Sequence, residues 1–562
     1  MPRFVIWITI AAVIFIFLLY NFYFSVNFPF QDDFLLIQFV DGVSRGEIGL
    51  WGFVKELFRT FNDHKPVVSR LIAFVDYLLT GHLNFRFYIL LVSLNIVYIF
   101  YFIYLQFKKT GMPLYYLLPA FFLFFQPLFH DVSGWALNGL QHSYLTAFTV
   151  TAIMLVSRGR RVAFAAALLC CFLATFSHGN GILSFPAIIF FFLCYKKFWK
   201  AAITAAVMFL ALGIYLIGYE SGQAVHLPTN ILTFIYSLFG FIGSSVSMWA
   251  APEFWSAVLG AVMVAFILFL VVRVAGVYFN REVVIKPGTV ELLTFFVFIF
   301  ITSLVIAVFR SWMGSTIASR FQIYTSLATI ICYVLLLDYF AVFRKKGVFY
   351  TLLLLSVFYW SYSYYMHTHI VANKRMVYLA DVYNWEDHSD MFSVEKTITQ
   401  YGAFYLFPAY EKGIFKLPPP VVNRHELDSM YTVSQRPDTD SEIFVEVWKL
   451  KDFQNNGFIN LSFVSSLKFP ERKGFLTDRF LVLRDTSGIC YLMGGNAKVE
   501  SRKVLLTTGF YYKNGFHVTL RKDDLKPGVY ELAVMDIEAN GDKKFYRLDK
   551  SLRQTGTSYI LE

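Results

Sequence analysis

Charge is scarce in this chain. Only 15% of its 562 residues are Asp, Glu, Lys or Arg, while 57% are hydrophobic. Soluble domains are about one quarter charged and about half apolar, so a water-exposed globule is excluded for most of the length. Cysteine is sparse as well. Cys170, Cys171, Cys194 and Cys332 fall inside apolar runs and Cys490 stands alone, so neither a disulfide framework nor a zinc spacing follows. The first apolar run has one basic residue before it, Arg3, but no small-residue cleavage site after it, and reads as a retained span. No internal repeat suggests duplicated transporter halves.

The charge that is present is uneven. After residue 366 lie 26 of the 49 basic and 25 of the 38 acidic residues. The net charge of +11 divides into +10 for residues 1–366 and +1 for the rest, and no basic-aromatic patch in the tail suggests a nucleic-acid partner. The excess sits mostly in short loops between apolar runs, where Lys and Arg set orientation.

A helix needs about 20 mostly apolar residues to cross about 30 Å of hydrocarbon. Eleven such runs are expected, over residues 4–24, 87–107, 113–129, 143–157, 162–177, 182–195, 201–219, 256–278, 290–309, 321–343 and 348–366. With Arg3 inside, the inner segments carry 15 basic residues against Glu282 alone. That predicts a cytoplasmic N-terminus and an extracytoplasmic tail. The run Ile231–Trp249 would break this parity and is expected not to span.

In the long outer loop 25–86, Phe34–Val43 and Pro66–Leu79 read as interfacial helices. Residues 367–384 are expected to link the membrane domain, 1–366, to a β-rich domain, 385–562. There Ile443–Leu450, Phe480–Leu483, Val504–Tyr512, Phe516–Leu520 and Val529–Ile537 alternate in a β-sandwich pattern, punctuated by Lys526-Pro527-Gly528 and Asn540-Gly541. The predicted fold is thus a polytopic α-helical membrane protein with a C-terminal sandwich-like domain.

Asp32 and Asp33 follow the first span directly. Crowded acids at a partly desolvated surface have raised pKa values, which suits a general base; a hydrated loop start or helix N-cap is the alternative. Asp63-His64-Lys65-Pro66 through Arg70 gathers His64, Lys65 and Arg70 near a helix start, a pattern suited to a phosphate or to anionic headgroups. Gln141, His142, His178 and Asn180 lie in short outer turns. His178 could meet substrate or merely hold a turn, and the flanking Gly179 and Gly181 could supply positive φ. Arg310 and Arg320 flank Ser311–Ser319 at outer ends of spans, against the positive-inside trend; phosphate binding or snorkelling explains them.

The Asp32-Asp33 pair after the first span, the long first outer loop, the multi-span core and the outer C-terminal domain together resemble the GT-C superfamily of integral membrane glycosyltransferases. His64 through Arg70, Gly179-Asn180-Gly181 and Ser319-Arg320-Phe321 with Tyr324 are similar to segments of bacterial members that decorate surface polysaccharides. The resemblance covers residues 1–366. It implies a polyprenyl-phosphate-sugar donor, a glycan or glycolipid acceptor, inversion at the anomeric carbon and contact with membrane lipid. Asp32 would be the base and Asp33 its partner. His64, Lys65, Arg70 and Arg320 would hold the leaving phosphate, and Gln141, His142, His178, Asn180 and Tyr324 would contact substrate. Oligosaccharide-transferring members carry further acidic metal ligands in later outer loops, where this chain has only the isolated Asp131, Glu220 and Glu253, so no cofactor is expected and a divalent metal is left open but not indicated. A flippase of lipid-linked sugars, or a membrane scaffold, are the competing readings.

Overall fold

The computed structural model describes every residue except 1, 47, 221–225, 229, 279–284, 315, 394–395, 435–441, 449–457, 465–471, 473–475, 514, 522–523 and 557. The chain divides into two compact units. The first comprises Met1–Tyr23 and Gln38–Tyr364, and the second Phe24–Ile37 and Tyr365–Glu562.

The first unit is helical. Six of the described helices are long and apolar enough to cross a membrane: Arg3–Phe24, Phe85–Lys109, Phe198–Leu216, Pro252–Ala275, Thr289–Arg310 and Ser319–Tyr339. They are compatible with a multi-pass membrane protein. The number falls short of the eleven expected, for local physical reasons. Residues 113–129 form no single helix, because Pro119 and Pro127 cannot continue one; the segment breaks into Leu114–Leu117, Leu118–Phe124 and Pro127–Phe129. Arg161–Thr175 and Gly179–Cys194 are apolar but short. Ala136–Ser157 is diluted by Asn138, Gln141 and His142, and by threonines whose hydroxyls bond to carbonyls four residues back. The run 348–366 belongs to the longer, tyrosine- and serine-rich helix Lys346–His388.

The Ile231 run forms a 13-residue helix, Ile231–Gly243, which at about 1.5 Å per residue covers roughly 20 Å. That is less than the hydrocarbon thickness. It packs closely on Pro252–Ala275, where Gly243 and Gly260 leave no room for a Cβ against the facing backbone.

Basic residues mark one end of this bundle. Lys109 pairs with Glu291 at 2.7 Å, Lys286 with Asp338 at 3.3 Å, and the Tyr116 hydroxyl donates to the Arg344 carbonyl. From Glu291 the helix Thr289–Arg310 runs about 28 Å to Arg310 at its far end. The loop 25–86 contributes the helices Leu50–Leu57 and Val67–Thr80, the former not anticipated from the sequence.

In the second unit, residues 367–384 are helical as part of Lys346–His388, where a linker was expected. The strands are β1 (Glu442–Trp448), β2 (Phe458–Val464), β3 (Asp478–Asp485), β4 (Cys490–Gly494), β5 (Phe516–Arg521), β6 (Gly528–Ile537), β7 (Lys543–Gln554) and β8 (Tyr559–Leu561). Two antiparallel sheets, ordered β1-β2-β5 and β4-β3-β6-β7-β8, bury one apolar core that joins Leu461, Phe463 and Val518 to Leu481, Leu532 and Leu552. Alternation set this pairing, and the left-handed Gly541 closes the β6–β7 hairpin. Residues 504–512, expected to be extended, instead begin as the helix Arg502–Thr508. Ser501 caps its start by accepting from the Val504 N–H, and Gly509 at φ +77° ends it.

The five-stranded sheet is braced by helix residues 365–388. Asn384 exchanges two hydrogen bonds with Leu492, 2.7 and 2.8 Å, covering the edge strand β4, and Gly494 lets the backbone of Val377 approach. The Tyr511 hydroxyl donates to the Tyr365 carbonyl and accepts from the His369 N–H, bridging one helical turn. Across β3 and β6, Arg479 grips Asp536 through two 2.6 Å bonds with both side chains buried. Removing one partner strands a buried charge, which typically costs about 3–5 kcal/mol. Asp536→Ala is therefore expected to destabilise the β-rich unit by that order. Chemical denaturation of the solubilised protein, followed by a fluorescence change from this unit, reads the loss.

Candidate anion site

Phe61-Asn62-Asp63-His64 builds the first wall of the site. Asn62 and Asp63 both have positive φ, 45° and 63°, and Phe61 and His64 exchange backbone hydrogen bonds of 2.8 and 2.9 Å. Two central residues at positive φ match a type I′ turn, which Asn and Asp tolerate better than other side chains. His64 thus sits in a tight hairpin before the helix Val67–Thr80, not on the helix itself. The Tyr215 hydroxyl holds the turn by donating to the Asp63 carbonyl at 3.1 Å.

His178 builds the second wall. It caps the 3-10 helix Gly179–Leu183, its Nδ1 accepting from the Asn180 N–H at 3.3 Å. The glycines supply space here instead of the positive φ the sequence suggested. A Cβ at Gly181 would strike the Ala174 carbonyl, and one at Gly179 would lie 3.1 Å from His64 Nδ1. His142, on Ala136–Ser157, completes the set, with its Nδ1 2.9 Å from the Tyr324 hydroxyl.

These elements bring three imidazoles into one stack. The ring centroids of His64 and His178 are 3.9 Å apart and those of His142 and His178 4.8 Å. Burial pushes the His64 pKa down to about 4; Asp63 opposes this and Arg310 adds to it. His178 is held well below its ordinary value, chiefly by burial and then by His64, His142, Arg310 and Arg320. Burial, aided by Arg310, thus keeps His64 and His178 uncharged near neutral pH. Neutral imidazoles within electrostatic reach of guanidinium groups offer N–H donors and positive potential to an anion.

Comparison with family models, curated proteins and solved structures returns no match. The chemistry must therefore be read from this chain alone.

Two cations assigned to a phosphate by sequence are engaged elsewhere. Lys65, 2% exposed, donates to the Ile217 carbonyl at 2.5 Å and lies 5.8 Å from the Tyr215 ring. Arg70, also 2% exposed, donates to the Leu57 and Arg59 carbonyls at 2.9 and 2.6 Å. Burial lowers both pKa values, that of Arg70 to about 10. Arg70 ties the two first-loop helices together, Lys65 ties the loop to the end of helix Phe198–Leu216, and between them they position the His64 turn. Arg310, which sequence reasoning noted only as the companion of Arg320, acts on all three histidines. Gln141 and Asn180 are half-buried, and Tyr324 is fully enclosed. Among the described residues no group of three or more His, Cys, Asp or Glu is arranged to hold a metal ion, the histidine stack included.

Asp32 and Asp33 belong to the second unit. They lie in the 3-10 turn Gln31–Asp33, where Asp33 is 2% exposed and accepts from the Phe30 N–H at 3.0 Å, while Asp32 is half-buried.

The neutral histidines have a consequence for stability. Between pH 6.5 and about 4 the unfolded chain binds a proton at His64 that the folded chain refuses, so stability rises with pH across that window and is lost as pH falls through it. Acidification from pH 7 to 5 is expected to lower the melting temperature more in the wild type than in His64→Gln. Equal shifts would mean that His64 titrates normally in the folded protein.

Proposed function

We propose that this chain is a membrane glycosyltransferase that moves a sugar from a polyprenyl-phosphate donor to a glycan or glycolipid at the outer face of a bacterial cytoplasmic membrane. The observation that carries the reading is the stack of His64, His142 and His178 within electrostatic reach of Arg310 and Arg320, at the end of the bundle away from Lys109, Lys286 and Arg344. Uncharged, hydrogen-bonding imidazoles within electrostatic reach of two guanidiniums suit a phosphodiester, whose departure as a phosphate needs charge stabilisation. In the reaction the acceptor oxygen forms the new bond to the anomeric carbon as the bond to the phosphate oxygen breaks. The acceptor proton passes to a carboxylate, and polyprenyl phosphate leaves with inverted configuration at the sugar. Asp32 is the carboxylate the GT-C resemblance implies, and the more accessible of the pair.

In this reading Ala136–Ser157 and the shorter apolar helices supplement the six long ones, the N-terminus is cytoplasmic and the β-rich unit extracytoplasmic. The 15-to-1 basic bias of the inner segments supports that orientation. Incubating the purified protein with polyprenyl-phosphate sugars and surface-glycan acceptors tests it. Formation of glycosylated acceptor with free polyprenyl phosphate is the expected result. Movement of intact donor across a vesicle without reaction would make the protein a flippase instead.

A further inference from the structure

The second unit contains a cleft of about 510 Å³ that the transferase reading does not use. One wall is helix residues 365–377 and the other is the segment 496–499 with His517 of β5. Lys374, whose ammonium also lies 5.8 Å from the Phe30 ring centroid, and Lys498 contribute two cationic side chains, His369 and His517 two imidazoles, and Asn373 and Asn496 two amides, whereas none of the lining residues is acidic. The wall is built rather than incidental. The Asn373 side chain meets the Ala497 backbone through both its oxygen and its nitrogen, at 3.4 and 3.5 Å, and Asn496 pairs with His517 through two backbone bonds of 2.9 and 2.8 Å. The nearest acid in sequence, Glu500, turns its carboxylate to the Ser501 N–H while its carbonyl accepts from the Tyr365 hydroxyl.

We infer that this cleft binds an acidic oligosaccharide, its carboxylates or phosphates meeting Lys374 and Lys498 and its hydroxyls meeting the imidazoles and amides. The volume lies within the range of about 300–1,000 Å³ typical of ligand sites, larger than a lone inorganic anion fills. Burial and Lys498 lower the pKa of His517, leaving an imidazole that can both give and take a hydrogen bond from a hydroxyl. The lining residues Tyr365, Ile370 and Val499 offer apolar surface to the C–H faces of sugar rings.

The full-length solubilised protein is titrated with a tetramer of galacturonic acid, with neutral maltotetraose and with tetraglutamate, following binding by calorimetry. No lipid-linked donor is present, so the outcome is separate from that of the transfer assay. The galacturonate tetramer is expected to bind, maltotetraose and tetraglutamate markedly less. Lys498→Glu, at an exposed position, should weaken the uronate by about tenfold or more without changing the melting temperature, and Lys374→Gln should do likewise. Absence of uronate binding, equal binding of tetraglutamate or of maltotetraose, or indifference to both lysine substitutions would overturn the assignment.

Discussion

Asp32→Asn is expected to reduce sugar transfer by about 10²–10⁴-fold, the usual contribution of a general base, while membrane insertion and donor binding stay close to wild type. The amide keeps the shape of the carboxylate but accepts no proton from the acceptor hydroxyl. Asp33→Ala should behave differently. The Asp33 carboxylate is buried and accepts from the Phe30 N–H, so its loss disturbs the 3-10 turn that carries Asp32 and shows as lowered stability together with lowered activity. Turnover at saturating donor, with protein in the membrane controlled, separates the two. Wild-type turnover in Asp32→Asn would remove it as the base, and loss of turnover in Asp33→Ala at unchanged stability would move the role one residue along.

The second large effect is expected at the guanidinium pair. Arg310 and Arg320 suppress protonation of the histidines they face, and in this account they face a phosphate that is anionic before transfer and more so afterwards. Arg320→Ala should therefore raise KM for the donor and lower kcat, a combined loss on the order of 10²–10³ in kcat/KM, as for removal of one transition-state donor. Arg310→Ala should follow the same pattern. In each variant the histidines should also become easier to protonate, shifting the acid limb of the rate profile upward in pH. A change confined to KM would make the arginines general anchors for the lipid headgroup instead.

How much of this was legible in the sequence varied with the range of the interaction. Local signals carried well: apolar runs gave the long helices, alternation gave β1, β3, β5 and β6, and Asn540-Gly541 gave the β6–β7 turn. They failed where a competing local rule was present but weighed too lightly. Pro119 and Pro127 divide an apolar run, and Ser501 and Gly509 bracket a helix in a stretch that reads as alternating. The Asn62-Asp63 turn was also visible in principle, as a pair tolerant of positive φ. What sequence could not supply was the partner of each cation. Lys65 and Arg70 stand beside His64 in the chain, yet their charges go to the carbonyls of Ile217, Leu57 and Arg59, one of them 152 residues away. Conversely, His64, His142 and His178 come from three separate segments, and nothing in their spacing announces a stack. Gly179 and Gly181 were noticed for the wrong property, since close packing needs the same residue as a left-handed turn.

The central claim is that the histidine stack and its two arginines hold the donor phosphate, and photo-crosslinking tests it most directly. A polyprenyl phosphate bearing a photoreactive group next to the phosphate is bound to the purified protein, irradiated, and the labelled peptides are mapped. The account predicts labels on the segments around His64, His178 and Arg310–Arg320, competed by unlabelled polyprenyl phosphate and lost in the Arg310→Ala, Arg320→Ala double variant. Specific, competable labelling confined to the opposite end of the bundle, near Lys109, Lys286 and Arg344, would contradict it.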